Sequence, residues 1–306
     1  MLHMTVGIFG NPEFSADLAK KLGKQGTAND IVIYNHGSSE GVLTYATVNS
    51  DKIQTLLQTI NMVDVPVIAI NEVNAVVGEQ IVAIGEFGFD NGFLVLENVS
   101  EEQIKSITKG TCVENFRVVK DNVELVEELK KTNIVRPDSD LSVPIDNYFN
   151  VKSVGTVILG IIKSGAVKKY DKVVIEPLGK EVTIKGIQSQ DKDIESALAG
   201  TRVGLNLKGV EAEEIKRGYV IGVSSKSKSF QFNLHKNKYC RENLKENDQI
   251  FVSSGLQVAA AKIKSLKENI MEVETESYVV YTKETKFLIA STKQSALRII
   301  GKAEMT

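Results

Sequence analysis

Cysteine and histidine are scarce in this sequence of 306 residues, with two of the former and three of the latter. Cys112 and Cys240 lie far apart and neither belongs to a CxxC pair, so the pattern indicates neither a metal cage nor a disulfide framework. His3, His36 and His235 are equally scattered, and nothing places one beside a nucleophile or a second ligand. We therefore expect no metal site and no catalytic residues.

Long hydrophobic runs are also missing. The longest uncharged apolar run, residues 154–162, is too short to span a bilayer, because a membrane helix needs about 20 residues. The first four residues lead straight into a strand-like run, which is not the pattern of a signal peptide. Apolar residues make up 42% and charged residues 25% of the chain, as in soluble globular proteins. We expect a cytoplasmic protein with no membrane partner.

Positive charge is depleted in the first part of the chain. Residues 1–135 carry 10 Lys and Arg against 18 Asp and Glu, whereas residues 136–306 carry 27 against 21. A basic second half favours contact with a polyanion such as RNA. The alternative is an ordinary solvated surface.

Strand-like and helix-like segments alternate in the first 135 residues. Residues 6–10 predict a buried strand, and the spacing of Phe14, Leu18 and Leu22 predicts an amphipathic helix. Continued along the chain, this reasoning gives six strands and five helices, with residues 36–41 as the turn of an antiparallel hairpin between the second and third strands. This order of elements predicts a mostly parallel sheet with flanking helices and resembles the G domain of P-loop GTPases.

Helix starts and one short loop can also be predicted in this domain. Ser50 is a candidate helix cap, and Ser100 with Gln103 has the spacing of a capping box. Residues 26–29 are predicted as a short loop before the second strand. In such a G domain, Thr27 would be the only candidate for a threonine that senses Mg²⁺.

The phosphate loop of that fold reads GxxxxGK[ST], in which the lysine and the hydroxyl residue meet phosphate and Mg²⁺. The equivalent segment keeps Gly10, followed by Asn11. Ser15, Ala16 and Asp17 replace the second glycine, the lysine and the Ser/Thr. The lysine is thus lost, and the carboxylates of Glu13 and Asp17 would repel a triphosphate.

The other two nucleotide motifs are changed as well. Thr47 and Ser50 stand where DxxG has its aspartate and glycine. Glu97, Asn98 and Ser100 stand where NKxD has its asparagine, lysine and aspartate, and a serine offers no bidentate acceptor to a guanine edge. We expect no efficient GTP hydrolysis and no bound cofactor, with GTP and Mg²⁺ held only if the altered loop still binds them.

A second domain follows a polar, proline-containing linker at residues 136–140, so we divide the chain into residues 1–135, 136–222 and 223–306. Short Val- and Ile-rich runs cut by Gly, Asp and Lys predict a small closed β-barrel in residues 136–222. Alternating apolar and polar residues, clearest at residues 230–234, predict a second barrel after it.

The second domain carries a family resemblance over some seventy-five residues. The matching segments are residues 144–146 with Phe149, and residues 154–157, 159–160, 163–165, 171–173, 187–191, 199–205, 207–210 and 215–218. With these residues the chain resembles translational GTPases of the elongation factor Tu and SelB type, and in particular archaeal SelB-like paralogues with a degenerate G domain. Tyr170 departs from the glycine of the family's GD turn.

The resemblance implies a GTPase-like domain followed by the two barrels that are domains 2 and 3 of elongation factor Tu. In the family, one rim of the first barrel accepts the aminoacyl group and acceptor end of tRNA. The equivalent rim here comprises Gln188, Ser189, Gln190, Asp191 and Arg202, with Asp191 meeting an α-amino group and Arg202 a phosphate or sugar. The alternative for Arg202 is a pair with a local carboxylate.

A basic connection in the last domain holds Lys236, Lys238, Arg241 and Lys245, which are candidate RNA-facing residues. Lysines beside a strand edge also protect against aggregation, which is the alternative.

Three functional hypotheses remain open. The first is a pseudo-GTPase, an elongation factor-like protein that binds tRNA or aminoacyl-tRNA without an efficient GTP switch. The second is a protein-interaction scaffold of the translation machinery, and the third is a GTP-binding elongation factor with a non-standard phosphate loop. By the resemblance, partners would be tRNA and translation proteins and not DNA, and the protein would be monomeric.

Overall fold

The structure is a computed structural model that describes residues 2–38, 41–136 and 139–306. Ser39 and Glu40 of the predicted hairpin turn, and Pro137 and Asp138 of the predicted linker, lie outside the described residues. None of the helices in the described ranges combines the length and the apolar character that a bilayer-spanning helix needs.

The first domain alternates strands and helices, as its apolar periodicity predicts. Its elements are β1 (Leu2–Gly10), α1 (Pro12–Leu22), β2 (Lys24–Ala28), β3 (Ile31–Ser38), β4 (Gly41–Val48), α2 (Ile53–Met62), β5 (Val65–Ile70), α3 (Ala75–Phe87), β6 (Phe93–Leu96), α4 (Glu101–Thr108), β7 (Arg117–Val119) and α5 (Asn122–Lys131). A 3₁₀ turn at Cys112–Asn115 precedes β7.

Within the described chain, this domain's sheet has seven strands in the order β2-β3-β4-β1-β5-β6-β7. The strands from β4 to β7 are parallel neighbours, and the predicted antiparallel hairpin of β3 and β4 is confirmed. The prediction of six strands is wrong, because residues 24–28 form the edge strand β2 on β3 instead of a loop. Backbone pairing alone builds this strand, since its exposed sequence KQGTA has no apolar alternation that a pattern could reveal.

One predicted helix cap is confirmed and the other is wrong. Ser100 Oγ accepts the backbone N–H of Gln103 (3.3 Å), while Gln103 Oε1 accepts that of Ser100 (2.9 Å). Helix α2 has Lys52 at its cap position, and Ser50 Oγ accepts the N–H of Lys52 (3.2 Å) in a turn before the helix.

The first barrel covers residues 142–222. Its strands are β8 (Ser142–Val151), β9 (Gly155–Ile161), β10 (Ala166–Lys168), β11 (Lys172–Glu176), β12 (Lys180–Ser189), β13 (Lys192–Ile194), β14 (Ser196–Leu198), β15 (Arg202–Lys208) and β16 (Val220–Gly222). Pairing of β11 with β12 closes the ring β11-β16-β8-β9-β15-β12. Strand β13 extends β12 as a hairpin at the rim.

The second barrel covers residues 225–305. Its strands are β17 (Ser225–Lys236), β18 (Gln249–Ser254), β19 (Gln257–Lys267), β20 (Ile270–Tyr281), β21 (Phe287–Ser291) and β22 (Ile299–Met305). They close in the order β17-β20-β19-β18-β21-β22. The predicted architecture, a mostly parallel sheet with flanking helices followed by two small β-barrels, is confirmed.

One apolar core is shared between the first domain and the barrels. It lies under α2 and α3 and contains Leu57, Ile60 and Ile84 of the first domain together with Leu288 and Ile299 of the second barrel. Burial of such side chains contributes about 1.5–3 kcal/mol each. Helices α2 and α3 therefore lie between the sheet and the barrels, and the barrels complete the first domain's core.

Candidate functional site

The junction of β1 and α1 occupies the position of a phosphate loop. Strand β1 ends at Gly10 and α1 begins at Pro12, so Asn11 alone connects them. The Asn11 Oδ1 accepts the backbone N–H groups of Asn71 (2.9 Å) and Glu72 (3.2 Å), which follow β5. This side chain therefore ties the end of β1 to the next loop of the sheet.

Gly10 is required here by the close approach of two strands. Its φ is 113°, and a Cβ at this position would lie 1.9 Å from the carbonyl oxygen of Ala69 in β5. The Gly10 N–H donates to Gln80 Oε1 of α3 (2.5 Å). A glycine in a phosphate loop offers open space beside its backbone and a free N–H. Here Ala69 fills that space and Gln80 accepts the N–H.

The first turns of α1 take up residues 12–17. Ser15 is buried and its Oγ donates to the Phe9 carbonyl (2.8 Å), whereas Asp17 is exposed and pairs with Lys20 at 3.3 Å. A proline at the first helical position and an acidic residue in the first turn favour the early start. The helix thus occupies the space that a loop of the form GxxxxG would need.

The other two motif positions also have local structural roles. Thr47 is buried near the end of β4, and Ser50 turns toward the start of α2. The Glu97 N–H donates to the end of β5 (2.9 Å), Asn98 takes a left-handed φ of 57°, and Ser100 caps α4. These groups end one element and begin the next.

A cavity of about 760 Å³ opens beside Gly10, at the carboxyl ends of β1 and β4. Ser15, Tyr34 and Thr47 lie in its wall, and Arg298 reaches it from the second barrel. Across the described side chains, no three His, Cys, Asp or Glu residues are grouped as metal ligands. The cavity lies where strands of an open α/β sheet present ligand sites.

Arg298 joins the second barrel to this cavity through a buried ion pair. Its Nε and Nη2 donate to Glu79 Oε1 (3.0 Å) and Oε2 (2.5 Å) on α3, and its Nη1 donates to the Asp51 carbonyl (2.7 Å). The hydrogen bond with Glu79 raises the pKa of Arg298 further above its usual range. This bidentate geometry is the strong form of an ion pair, and it holds the segment before α2 and helix α3 together.

Helix α2 is also held by hydrogen bonds from both barrels. Gln58 Nε2 donates to the Leu256 carbonyl (3.0 Å) and Asn61 Nδ2 donates to Ser253 Oγ (3.2 Å), both in the second barrel. Lys163 of the first barrel donates to the carbonyl of the last residue of α2 (2.6 Å). The helix that follows the DxxG position is therefore bonded to both barrels.

Two ion pairs connect the first domain to later parts of the chain, one to the first barrel and one to the linker before it. Arg217 Nη1 lies 2.8 Å from both carboxylate oxygens of Asp30, and its Nε donates to the Asp146 carbonyl (2.9 Å). Burial acts to raise the pKa of Asp30, but the hydrogen bond and charge of Arg217 act against it and the pKa is lowered. Arg136 binds both oxygens of Asp64 at 3.0 and 2.9 Å.

The predicted rim of the first barrel is the hairpin of β12 and β13. Gln190 and Asp191 form its tip with φ values of 51° and 58°, as in a two-residue hairpin turn. Gln188 Nε2 donates to a carboxylate across the hairpin (2.9 Å), and Ser189 Oγ donates to the Arg202 carbonyl (3.0 Å). The Asp191 carboxylate is exposed.

Arg202 lies below this rim. Its guanidinium makes a two-point ion pair with Asp146, with Nη2 to Oδ1 at 3.1 Å and Nη1 on Oδ2. The two side chains are only 9% and 8% exposed. The interpretation of Arg202 as the partner of a local carboxylate is therefore confirmed, and its guanidinium is not available at the surface.

The basic connection between β17 and β18 is exposed, but its cations differ in their partners. Lys236 Nζ donates to a carbonyl of the same connection (2.6 Å), and Lys238 Nζ donates to the Lys109 carbonyl of the first domain (3.1 Å). Arg241 and Lys245 are exposed beside them. The latter two are the better placed to meet an external anion.

Three findings relate this chain to known proteins. Residues 155–222 match the family model described as elongation factor Tu domain 2. An uncharacterised protein of Methanocaldococcus jannaschii is 32% identical over 305 residues, which are 97% of this chain and 98% of the relative. The selenocysteine-specific elongation factor of the same organism is 37% identical over 135 residues, which are 40% of this chain and 29% of that factor.

Solved structures extend the likeness to the whole chain. A bacterial selenocysteine-specific elongation factor, EF-Sec, superposes with a TM-score of 0.82 at 21% identity, covering 100% of this chain and 58% of that one. The translation elongation factor SelB from Methanococcus maripaludis, in complex with the GTP analogue GppNHp, also gives a TM-score of 0.82 at 19% identity, covering 99% and 78%. The chain belongs to the same family as the uncharacterised Methanocaldococcus jannaschii protein, and it has the fold of SelB-like elongation factors.

The matched segment of this SelB-like chain contains the hairpin tip and Arg202. The resemblance of the first barrel to domain 2 of elongation factor Tu is therefore confirmed over residues 155–222. In contrast, the chain covers under a third of the selenocysteine-specific factor's length in the aligned sequence.

Several residues that shape the site are not recognisable as such in the sequence. Glu79 and Gln80 give a signal, because two polar residues interrupt an otherwise apolar helix and need buried partners. Asp30, Arg217 and Arg298 give none, since their partners lie in other domains.

Proposed function

We propose that this SelB-like chain is an elongation factor-like protein that binds tRNA or aminoacyl-tRNA without an efficient GTP hydrolysis switch. The observation that carries the first part of this proposal is the one-residue connection between β1 and α1. A phosphate loop works by wrapping backbone N–H groups around phosphates, and Asn11 by itself cannot do so.

The chemistry at the same position supports the proposal. Phosphoryl transfer depends on a lysine and on Mg²⁺ to neutralise charge in the transition state. Ala16 and Asp17 occupy the positions of that lysine and of the Mg²⁺-binding hydroxyl. Here Arg298, Gln58 and Asn61 link α2 and the segment before it to the second barrel.

The RNA part of the proposal rests on the first barrel and on the relatives. Relatives with matching sequence include the selenocysteine-specific elongation factor of Methanocaldococcus jannaschii and the elongation factor 1-alpha of Cenarchaeum symbiosum. At the hairpin tip, Asp191 is exposed and its carboxylate is open to solvent. Arg241 and Lys245 add positive charge on the second barrel.

A nucleotide titration tests the first part. Calorimetry with GDP and with GTP in the presence of Mg²⁺ should give no binding heat at micromolar protein, while an active translational GTPase under identical conditions gives a clear isotherm. Micromolar binding or measurable turnover would instead support the alternative of a GTP-binding factor with a non-standard loop. The cavity of about 760 Å³ beside Gly10 favours that alternative, since it has room for a nucleotide-sized ligand.

A fluorescence titration with charged and uncharged tRNA tests the second part. Binding should weaken with salt, because lysines and arginines release counterions from phosphates. Replacing Arg241 and Lys245 by alanine should reduce the salt slope by about 1.5, since each phosphate contact contributes about 0.7–0.9.

The matched control for that experiment replaces Lys21 and Lys24, which are exposed on the first domain, by alanine. This variant loses the same charge far from the basic connection and should keep the salt slope. If neither charged nor uncharged tRNA binds at micromolar protein in low salt, the RNA part of the proposal is wrong. A pull-down that recovers only proteins and is insensitive to nuclease would then favour a scaffold.

A further inference from the structure

The cavity beside Gly10 extends away from the positions that the resemblance assigns to a guanine edge. Its lining residues come from β1 to β4, from α1 to α3 and the segment before α2, and from the second barrel. Glu97, Asn98 and Ser100 follow β6 on the opposite side of β1, and none of them is among the described residues that line the cavity. A ligand held by those three residues would therefore not fill this space.

Strand register gives the cavity a broad floor. Ala28 of β2, Val32 of β3, Thr47 of β4 and Ile8 of β1 lie side by side across four strands, and all of them line the cavity. Directly paired residues project from the same face of a sheet, which here is the face that packs against α1. Because strands lie about 4.8 Å apart, the row is about 14 Å wide. Its small and aliphatic side chains offer an apolar surface to a flat molecule.

Two hydroxyls at this floor have no partner in the protein. Tyr34 and Thr47 are each 3% exposed and line the cavity. In the part of the chain that the structure describes, neither hydroxyl forms a hydrogen bond. The unpartnered side-chain atoms in that part that are closed off from solvent belong to Thr5, Tyr45 and Ser224. The free hydroxyls of Tyr34 and Thr47 therefore open into the cavity, and each offers a donor and an acceptor to a ligand.

Gln80 of α3 adds a third free group. Its side chain is mostly buried, and its Oε1 accepts the Gly10 N–H (2.5 Å). Its Nε2 forms no hydrogen bond with any residue that the structure describes, and it is not closed off from solvent. An amide nitrogen has two donors. The cavity thus combines an apolar floor with hydrogen-bonding groups from β3, β4 and α3.

The charges of the wall balance one another. Each of its three cations has a carboxylate beside it in space or in sequence, in the pairs Arg298 and Glu79, Lys20 and Asp17, and Lys52 and Asp51. Lys20 and Lys52 are also exposed, whereas Arg298 is engaged in its buried two-point ion pair. A phosphate group brought into the buried part of this space would lack an opposite charge of its own. The wall therefore favours an uncharged ligand.

We propose that this cavity binds an uncharged, flat heteroaromatic molecule of the nucleoside class, with its ring on the apolar floor and its polar groups bonded to Tyr34, Thr47 and Gln80. A nucleoside combines a flat ring with base-edge and ribose groups that can pair with hydroxyls and an amide. The volume of about 760 Å³ lies within the range of about 300–1,000 Å³ that is usual for small-molecule sites. This inference goes beyond tRNA binding and does not depend on it.

Thermal unfolding of the full chain tests the proposal, with adenosine, guanosine, cytidine and uridine as separate probes and ribose as the comparison. At 100-fold excess over Kd, at least one nucleoside should raise the Tm saturably by about 5 °C. Ribose should not raise it, because it has no flat ring to cover the floor. The 5′-triphosphate of the responding nucleoside should need at least about a tenfold higher concentration for half-saturation, because its phosphates meet no unpaired buried cation.

Two tyrosine variants show whether binding uses the free hydroxyl. Tyr34→Phe removes no hydrogen bond of the folded chain and should raise the half-saturating nucleoside concentration about fivefold, as expected for one lost hydrogen bond to the ligand. Tyr45→Phe is the matched control, because Tyr45 is the cross-strand neighbour of Tyr34 and its unpartnered hydroxyl is closed off from solvent. This control should keep the half-saturation of the wild type.

Three results would overturn the proposal. The first is no saturable rise in Tm with any of the four nucleosides. The second is an equal half-saturating concentration for the wild type and for Tyr34→Phe. The third is a triphosphate that binds as tightly as its nucleoside or more tightly, which would instead support the GTP-binding alternative.

Discussion

The cavity beside Gly10 and the rim of the first barrel differ in the hydrogen bonding and exposure of the residues that the resemblance assigns to ligands. Beside that cavity, polar groups of Gly10, Asn11 and Ser15 form hydrogen bonds with other residues of the protein. At the rim, Gln190 and Asp191 form a hairpin tip at which Asp191 is exposed and Gln190 is half-buried. The residues that the resemblance assigns to nucleotide are thus bonded within the fold, whereas of those it assigns to tRNA Arg202 is buried in an ion pair and Asp191 is exposed.

This difference can be measured, because a group absorbed into the fold contributes to the free energy of unfolding whereas an exposed ligand group contributes to binding.

Arg202→Ala should lower the free energy of unfolding by about 3–5 kcal/mol, because it leaves the Asp146 carboxylate buried without a partner. Urea denaturation measures this loss. Asp191→Asn, at the exposed tip of the same rim, should change stability by less than about 0.5 kcal/mol. If the Arg202→Ala protein is as stable as the wild type but binds tRNA more weakly, Arg202 contacts tRNA and does not stabilise the fold.

Gly10→Ala should cost about 3 kcal/mol, because its Cβ would overlap the Ala69 carbonyl and the backbone lies in the left-handed region. Gly78→Ala is the matched control, since a Cβ there meets nothing within 4 Å. In the interior of α3 this control should stabilise by about 0.5–1 kcal/mol. Denaturant midpoints of both variants, with and without nucleotide, provide the measurement. Equal stability of Gly10→Ala and wild type would contradict the structural role of Gly10.

Arg298→Met should cost about 2 kcal/mol, because it removes charge-assisted hydrogen bonds to Glu79 across the domain boundary. We expect faster proteolysis within the second barrel and a larger radius of gyration in X-ray scattering. Lys293→Ala removes an exposed pair with Glu242 on the same barrel and should cost less than about 0.5 kcal/mol. Similar proteolysis rates for the two variants would show that Arg298 does not hold the domains together.

The pair of Asp30 and Arg217 should weaken in acid. The folded pKa of Asp30 is lowered from its usual 3.8, so its contribution is present above that value and is lost as the pH falls through the lower folded pKa. Stability measured in urea between pH 3 and pH 7 should therefore decline less steeply in acid for Asp30→Asn than for the wild type. Identical acid profiles would exclude a role for this carboxylate in domain docking.

The sequence predicts local features of this fold well where a pattern has a single physical cause. The capping box at Ser100 and the hairpin of β3 and β4 follow from spacing and turn chemistry alone. Strand β2 does not, because its backbone pairing leaves no trace in side-chain periodicity. The first barrel is recognisable because its glycines and small residues mark tight corners.

The candidate site is less predictable than the fold. The sequence shows that the motif residues are replaced. It does not show that Gly10, just before the start of α1 at Pro12, packs against β5 and donates to Gln80. The pairs of Glu79 with Arg298 and of Asp30 with Arg217 join residues far apart in the chain. Such contacts depend on how the domains dock, which no local pattern encodes.

The position of α2 and α3 between the sheet and the barrels has a consequence for biosynthesis. The face of these helices that packs on Leu288 and Ile299 belongs to the interior of the finished protein. Domains emerge from the ribosome in order, the N-terminal one first, so residues 1–135 are made well before the strands that cover this face. During synthesis, the apolar face of α2 and α3 therefore stays exposed until the strands that carry Leu288 and Ile299 have been made.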